Sequence, residues 1–205
     1  MTKLILTDMD EVLLDWGGHF ESWYMKTHPT FGGPAPKGRM RDAHDIEDWL
    51  DCSYANTRKL IEQFNQCKDH FPHIEAYDHA VEYVNKLHRE GYRFVAITAC
   101  STDVWTHDAR RDNLEKYFPG VFDTIHCVGL GASKVPFLDR YKPTWWVDDK
   151  VKHAEDGGRL GHKAFLMEQP YNVDADIKYS KRVKSWKDIY DCISDENCYQ
   201  LGWMA

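Results

Sequence analysis

Basic residues are in short supply in this chain: 26 Lys and Arg stand against 33 Asp and Glu, a formal net charge of −7 over 205 residues. That deficit removes the broad positive field on which binding to a long nucleic acid depends. It leaves room for a small anionic ligand held by a few local cations or a metal. Long apolar runs are missing too. None approaches membrane-spanning length, and the opening "MTKLILTDMD" turns acidic at Asp8 instead of extending into a secretory apolar segment. The six cysteines (Cys52, Cys67, Cys100, Cys127, Cys192, Cys198) form no C-x-x-C pair, so reduced thiols in a cytoplasmic protein are the expectation. Eleven histidines, His19, His44 and His107 among them, show no zinc spacing and read as surface or polar-network residues. Internal repeats and low-complexity tracts are absent as well.

What is present is enough for one sizeable core, or a core with an inserted subdomain. Aromatics reach 14% with eight Trp, a surplus that packing explains more readily than function. "KLILT" (3–7) is a short apolar run of strand length, and "RFVAIT" (93–98), "DTIHCVG" (123–129), "TWWVDD" (144–149) and "KAFLME" (163–168) follow it. Between them lie helical patterns, such as Ala80, Val81, Val84 and Leu87 before Gly91, and "VWTHDARRDNLEKY" (104–117). Strands alternating with helices predict an α/β fold with a doubly wound parallel sheet.

Reactive groups in such sheets gather beyond the carboxyl ends of the strands. Asp8 and Asp10, Thr98, and Asp148 with Asp149 all stand at strand ends, hence on one rim. Residues 17–75 break the alternation with a helical stretch "GGHFESWYMKTH", a Pro/Gly-rich loop "PTFGGPAPKGRMRD", and one or two helices in "DIEDWLDCSYANTRKLIEQFNQC". They read as a helical cap over that rim. The core is then 1–16 plus 76–193, and 194–205 is an uninformative tail.

Four separated stretches now align: "DMDEV" (8–12), "ITAC" (97–100), "GASKV" (131–135) and "VDDK" (147–150). Together, in this order, they resemble the four motifs of the haloacid-dehalogenase-like (HAD) hydrolases, although each alone is weak. "DMDEVLLDWGGHF", "NLEKYFPGVFDTI" and "RVKSWKDIYDCI" narrow the resemblance to the 5'(3')-deoxyribonucleotidases, from residue 4 to about 193. The resemblance implies a HAD core with a small cap and a Mg²⁺-dependent phosphatase acting on nucleoside monophosphates, with no membrane. A homodimer is compatible with it.

The residue types suit that chemistry. A phosphate monoester is a dianion, so Mg²⁺ on carboxylate oxygens would shield it from an anionic nucleophile. Asp8 would attack phosphorus to form an aspartyl-phosphate. Asp10, on the same side of an extended chain, would protonate the leaving oxygen and then deprotonate water. Thr98 would donate to a phosphoryl oxygen, with backbone N–H groups from Ala99 onward, and Lys134 would neutralise phosphoryl charge. Lys134 is preferred to Lys142 because Gly131 and Ala132 place it in a loop before a helix start. Asp8, Asp10 (through its backbone carbonyl, as the resemblance implies), Asp148 and Asp149 form the metal set, with Asp148 as the direct ligand and Asp149 behind it. Trp16 matches a base-stacking aromatic of the resembled family, though packing at the hinge competes for it. Arg110 and Arg111 read as helix decoration. Two departures stand out: Glu11 where Gly is common, and "TACS" (98–101) where Thr-Ser-Pro is usual. Rival readings are a HAD phosphatase for another small phosphate or a nucleic-acid end, and a non-catalytic nucleotide-binding protein on the same fold. The intact Asp8, Asp10, Lys134 and Asp148 set speaks against the last.

Overall fold

Hydrophobic strands and amphipathic helices assemble into a three-layer α/β unit in the computed structural model, which describes residues 3–28, 33–43, 45–101, 103–195 and 198. His44, residues 29–32 of the Pro/Gly-rich stretch, and 196, 197 and 199–205 of the tail lie outside the described residues. Six strands, β1 (Leu4–Thr7), β2 (Arg93–Ala99), β3 (Phe122–Val128), β4 (Trp145–Asp148), β5 (Lys163–Met167) and β6 (Ser180–Val183), form one sheet in the order β3-β2-β1-β4-β5-β6. Every pairing is parallel. β1 is central, with Ile5 and Leu6 fully buried on opposite faces, which is why that segment reads as a continuous apolar run. The chain winds outward in both directions from β1, so the crevice between β1 and β4 is the topological switch point of the sheet.

β6 escaped the sequence reading. It is a four-residue edge strand carrying Lys181 and Arg182, and only Val183 is buried. Neither an apolar run nor a clean alternation marks it.

The helices are α1 (Trp16–Thr27), α2 (Ile46–Leu50), α3 (Tyr54–Asn65), α4 (Asp78–Arg89), α5 (Val104–Tyr117), α6 (Val135–Leu138), α7 (Val151–Arg159) and α8 (Trp186–Ser194). α7 lies close against the sheet at two glycines. A Cβ on Gly157 would fall 2.2 Å from Trp146 Cδ1, and one on Gly158 would fall 1.9 Å from the Tyr179 carbonyl oxygen. The stretch expected to hold one or two helices holds two. Asp51, with φ 48°, closes α2, and α3 begins three residues later. Between β1 and β2 the chain thus adds α1, α2 and α3, joined by an aromatic cluster. Trp16 stacks on Phe20 at 4.9 Å, Phe64 meets Trp16 edge-on at 5.4 Å, and Tyr24 meets Trp49 at 5.3 Å. Most of the aromatic surplus is packing of this kind.

Candidate active site

Register alone brings the acids to one place. Thr7 pairs with Val147 on β4 and with Ala96 on β2, and the Asp8 N–H donates to the Val147 carbonyl at 2.8 Å. One residue further on, Asp8 and Asp148 stand side by side at the carboxyl edge. Lys134, the cap residue of α6, reaches across them. Its Nζ lies 2.6 Å from Asp8 Oδ2 and 2.7 Å from Asp148 Oδ2, and all three side chains are buried. Burial works against the lysine's charge, but the Asp148 and Asp8 carboxylates outweigh it and hold its pKa above the usual lysine value. Lys142 is exposed in the turn before β4.

Asp148 also accepts the Lys150 N–H on Oδ1 at 2.8 Å. Asp149 accepts a hydrogen bond from the Tyr171 hydroxyl, and its backbone carbonyl accepts from Asn172 Nδ2 at 2.6 Å. Burial raises the pKa of both aspartates; Lys134 opposes the shift at Asp148, and the neighbouring carboxylates add to it at Asp149. Asp8, Asp148 and Asp149 each offer an oxygen within 4.8 Å of the others.

Arg110 corrects the sequence reading. It does not decorate α5: it is fully buried, its Nη2 lies 2.5 Å from Asp10 Oδ2, and its Cζ sits 4.3 Å over the Phe71 ring. Arg111, by contrast, is exposed and paired with Asp108. A signal was there to read. Thr106, Ala109, Arg110, Asn113 and Leu114 recur at helical spacing, and all five are buried on one face of α5. Burial raises the pKa of Asp10, with Arg110 opposing that rise. Asp10 Oδ1, Thr98 Oγ1, and Arg110 Nε and Nη1 are buried without a hydrogen-bond partner. Such orphans are uncommon in folded chains, and their concentration beside three buried carboxylates marks a place built for a polar ligand.

Glu11 takes a left-handed backbone with φ 57°. For a non-glycine residue this costs roughly 1–2 kcal/mol, so something must hold it there. Its Oε1 accepts the Gly17 N–H at 2.6 Å and its Oε2 accepts from the Tyr77 hydroxyl at 2.7 Å. Burial pushes its pKa up to about 8 against the lowering effect of those two bonds. Sequence reasoning missed Tyr77, Tyr171 and Asn172 altogether. Trp16 is only 8% exposed, one ring face lies on Phe20, and its Nε1 donates to Asn65 Oδ1 at 3.0 Å. Ala99 ends β2 opposite Val128. A cavity of about 290 Å³ opens beside it, lined by Arg58, Glu62 and Asn65 from α3, by Gln66 at that helix's C-terminal cap, and by Cys100 and Ser101 beyond β2.

The donor set fits a hard divalent cation. Asp8, Asp148 and Asp149 crowd buried carboxylate oxygens within 4.8 Å of one another, and on top of burial that crowding helps raise the pKa of Asp149, a like-charge repulsion that a cation on these oxygens would relieve.

The chain is similar to known proteins in sequence and in fold. A family model described as 5' nucleotidase, deoxy (pyrimidine), cytosolic type C protein matches residues 2–198. An uncharacterized 32.4 kDa protein in the Gp30-rIII intergenic region of Enterobacteria phage T4 is 25% identical over 199 residues, 92% of this chain and 69% of that protein. Among solved structures, a HAD-superfamily hydrolase from Ehrlichia chaffeensis shares the fold with a TM-score of 0.59 and 16% identity, over 95% of this chain and 98% of that one. So does D,D-heptose 1,7-bisphosphate phosphatase from B. bronchiseptica, which was complexed with magnesium and phosphate, at 0.54 and 12%, over 95% and 98%.

Proposed function

The chain belongs to the 5' nucleotidase, deoxy (pyrimidine), cytosolic type C family, and from that membership we propose that it is a Mg²⁺-dependent phosphomonoesterase acting on nucleoside monophosphates, deoxy forms first, through an aspartyl-phosphate on Asp8. That it is a phosphatase of the HAD superfamily is plain from the family and the fold. The observation that carries the finer reading is the gathering of Asp8, Asp10, Thr98, Lys134 and Asp148 on one rim, with orphaned polar atoms among them.

Asp8, Asp148 and Asp149, with the Asp10 backbone carbonyl, would hold Mg²⁺, which when bound neutralises charge between the phosphoryl group and the carboxylates. Lys134, 2.6 Å from Asp8 Oδ2, keeps the nucleophile aimed and shares the phosphoryl charge. The Asp8 carboxylate attacks phosphorus in line, and the bond to the leaving oxygen breaks. Asp10 gives that oxygen its proton, then takes one from the water that hydrolyses the acyl phosphate, each transfer worth ~10²–10⁴-fold. Its raised pKa suits the exchange, and Arg110 fixes its orientation. Thr98 Oγ1 donates to a phosphoryl oxygen.

Residues 17–75 act as a cap, with 1–16 and 76–193 as the core. The leaving nucleoside occupies the cavity between α3 and the β2 end, where Asn65, Gln66 and the Arg58–Glu62 pair offer polar edges to a base. Its size admits a mononucleotide's sugar and base, and the net charge of −7 disfavours a polymer. The test is a phosphate-release panel of deoxynucleoside and nucleoside monophosphates against sugar phosphates, with Mg²⁺ or with EDTA. Release from nucleotides that EDTA abolishes is the expected result. Release confined to sugar phosphates would replace the substrate, and no Mg²⁺-dependent release at all would overturn the activity.

A further inference from the structure

Two strands of chain connect the sheet to residues 17–75: one leaves after β1, the other returns before α4. They run beside each other. Leu14 bridges Ala76 in antiparallel fashion, the Asp15 N–H donates to the Glu75 carbonyl at 2.9 Å, and the Tyr77 N–H donates to the Leu13 carbonyl at 2.9 Å. Glu11 stands where these crossings begin and end. Its carboxyl takes a hydrogen bond from Gly17 in the first turn of α1 at 2.6 Å and from Tyr77 on the returning strand at 2.7 Å. Its own backbone carbonyl accepts from Gln169 Nε2, just beyond β5, at 2.8 Å. Gly17 permits the approach, since a Cβ there would lie 2.8 Å from Glu11 Oε1.

One residue therefore joins the outgoing crossing, the returning crossing and the sheet rim. We infer that Glu11 is a positioning residue, a clamp that locks the two crossings in one register and so sets how α3 stands over the strand tips. The inference rests on the phosphatase reading only for its functional consequence. The clamp does not touch the phosphoryl group. It acts on whatever part of the substrate reaches α3. With this left-handed backbone the Glu11 side chain, immediately after Asp10, turns back to both crossings.

Glu11→Gly accepts the same backbone freely and deletes the clamp. Tyr77→Phe removes one arm alone, and Glu11→Gln keeps an acceptor for Gly17 and a partner for Tyr77. The variants are compared with wild type by hydrogen exchange at the amides of Asp15, Gly17 and Tyr77, and by kinetics on a deoxynucleoside monophosphate and on p-nitrophenyl phosphate. We expect exchange in Glu11→Gly to quicken about tenfold. KM for the nucleotide should rise about fivefold while kcat for p-nitrophenyl phosphate stays within about twofold. Tyr77→Phe should show a smaller effect of the same kind, and Glu11→Gln should recover most of the loss. Unchanged exchange in Glu11→Gly overturns the clamp. An equal loss of kcat on both substrates overturns it too, by making Glu11 part of the chemistry. If wild type releases phosphate from neither substrate, the phosphatase reading falls, and the exchange data still decide the clamp.

Discussion

Replacing Arg110 with Met separates what the buried guanidinium does for Asp10 from what it does for the fold. Its Nη2 is 2.5 Å from Asp10 Oδ2, which puts the two charge centres about 4 Å apart. At an effective dielectric near 20 that attraction is about 4 kcal/mol, an upper bound because the Asp10 side chain is 21% exposed and Asp8 and Lys134 act on it too. A cation beside a carboxyl favours its charged form, so removing Arg110 raises the pKa of Asp10 further. The folded state should change less. Arg110 Nε and Nη1 have no partner, and Met fills a similar volume without leaving donors stranded. Removing one partner of a buried ion pair ordinarily strands the other charge, but Asp10 can answer by taking up a proton, which limits the loss. The assay is the pH profile of kcat/KM for phosphate release, in wild type, Arg110→Met and Arg110→Lys. With Asp10 as the acid, the alkaline limb moves to higher pH in Arg110→Met, and Arg110→Lys recovers part of the shift. An alkaline limb that stays put, or moves down, would refute the assignment of Asp10 as the titrating acid.

Acid stability and metal binding give further checks. Asp103 caps α5, and hydrogen bonds from Ser101 and Thr106 lower its pKa to about 2 from an ordinary 3.8. The folded value lies below the unfolded one, so its contribution is complete above pH ~4 and disappears as pH falls toward ~2. Discounted for solvent exposure it is about 1 kcal/mol, and the urea midpoint of Asp103→Asn should converge on that of wild type across that window. Mg²⁺ at a hundred times its dissociation constant should stabilise the fold by about 2.7 kcal/mol in thermal unfolding, and Asp148→Asn should remove that gain. A Mg²⁺ effect of the same size in the variant would move the metal elsewhere.

How much of this was legible in the sequence depended on whether a signal was local. Strands β1, β2, β4 and β5 are buried through most of their length and announce themselves as apolar runs, and the acids announce themselves by following such runs. β6 is held at an edge by backbone pairing to β5, and its charged side chains conceal it. Arg110 was misread because an arginine pair on a helix looks like a solvated face. Only the spacing of its neighbours, weighed against the cost of burying a guanidinium, points inward. Tyr171 and Asn172 reach Asp149 from the loop beyond β5, a contact set by tertiary geometry with no nearby pattern. Glu11 stood out in the sequence as a departure from the resembled motif, with no role assigned to it. Its left-handed backbone and its two hydrogen bonds across the crossings belong to the folded chain, and no run of residues encodes them visibly.

Trapping the reaction at Asp8 tests the central claim most directly. Enzyme mixed with a deoxynucleoside monophosphate and Mg²⁺ is quenched in acid, reduced with borohydride, digested and examined by mass spectrometry. Reduction of an acyl phosphate converts its aspartate to homoserine. The account predicts that conversion at position 8 alone, dependent on both nucleotide and Mg²⁺, and absent from Asp8→Asn along with phosphate release. Undiminished phosphate release by Asp8→Asn, or conversion at Asp10 instead, would contradict it.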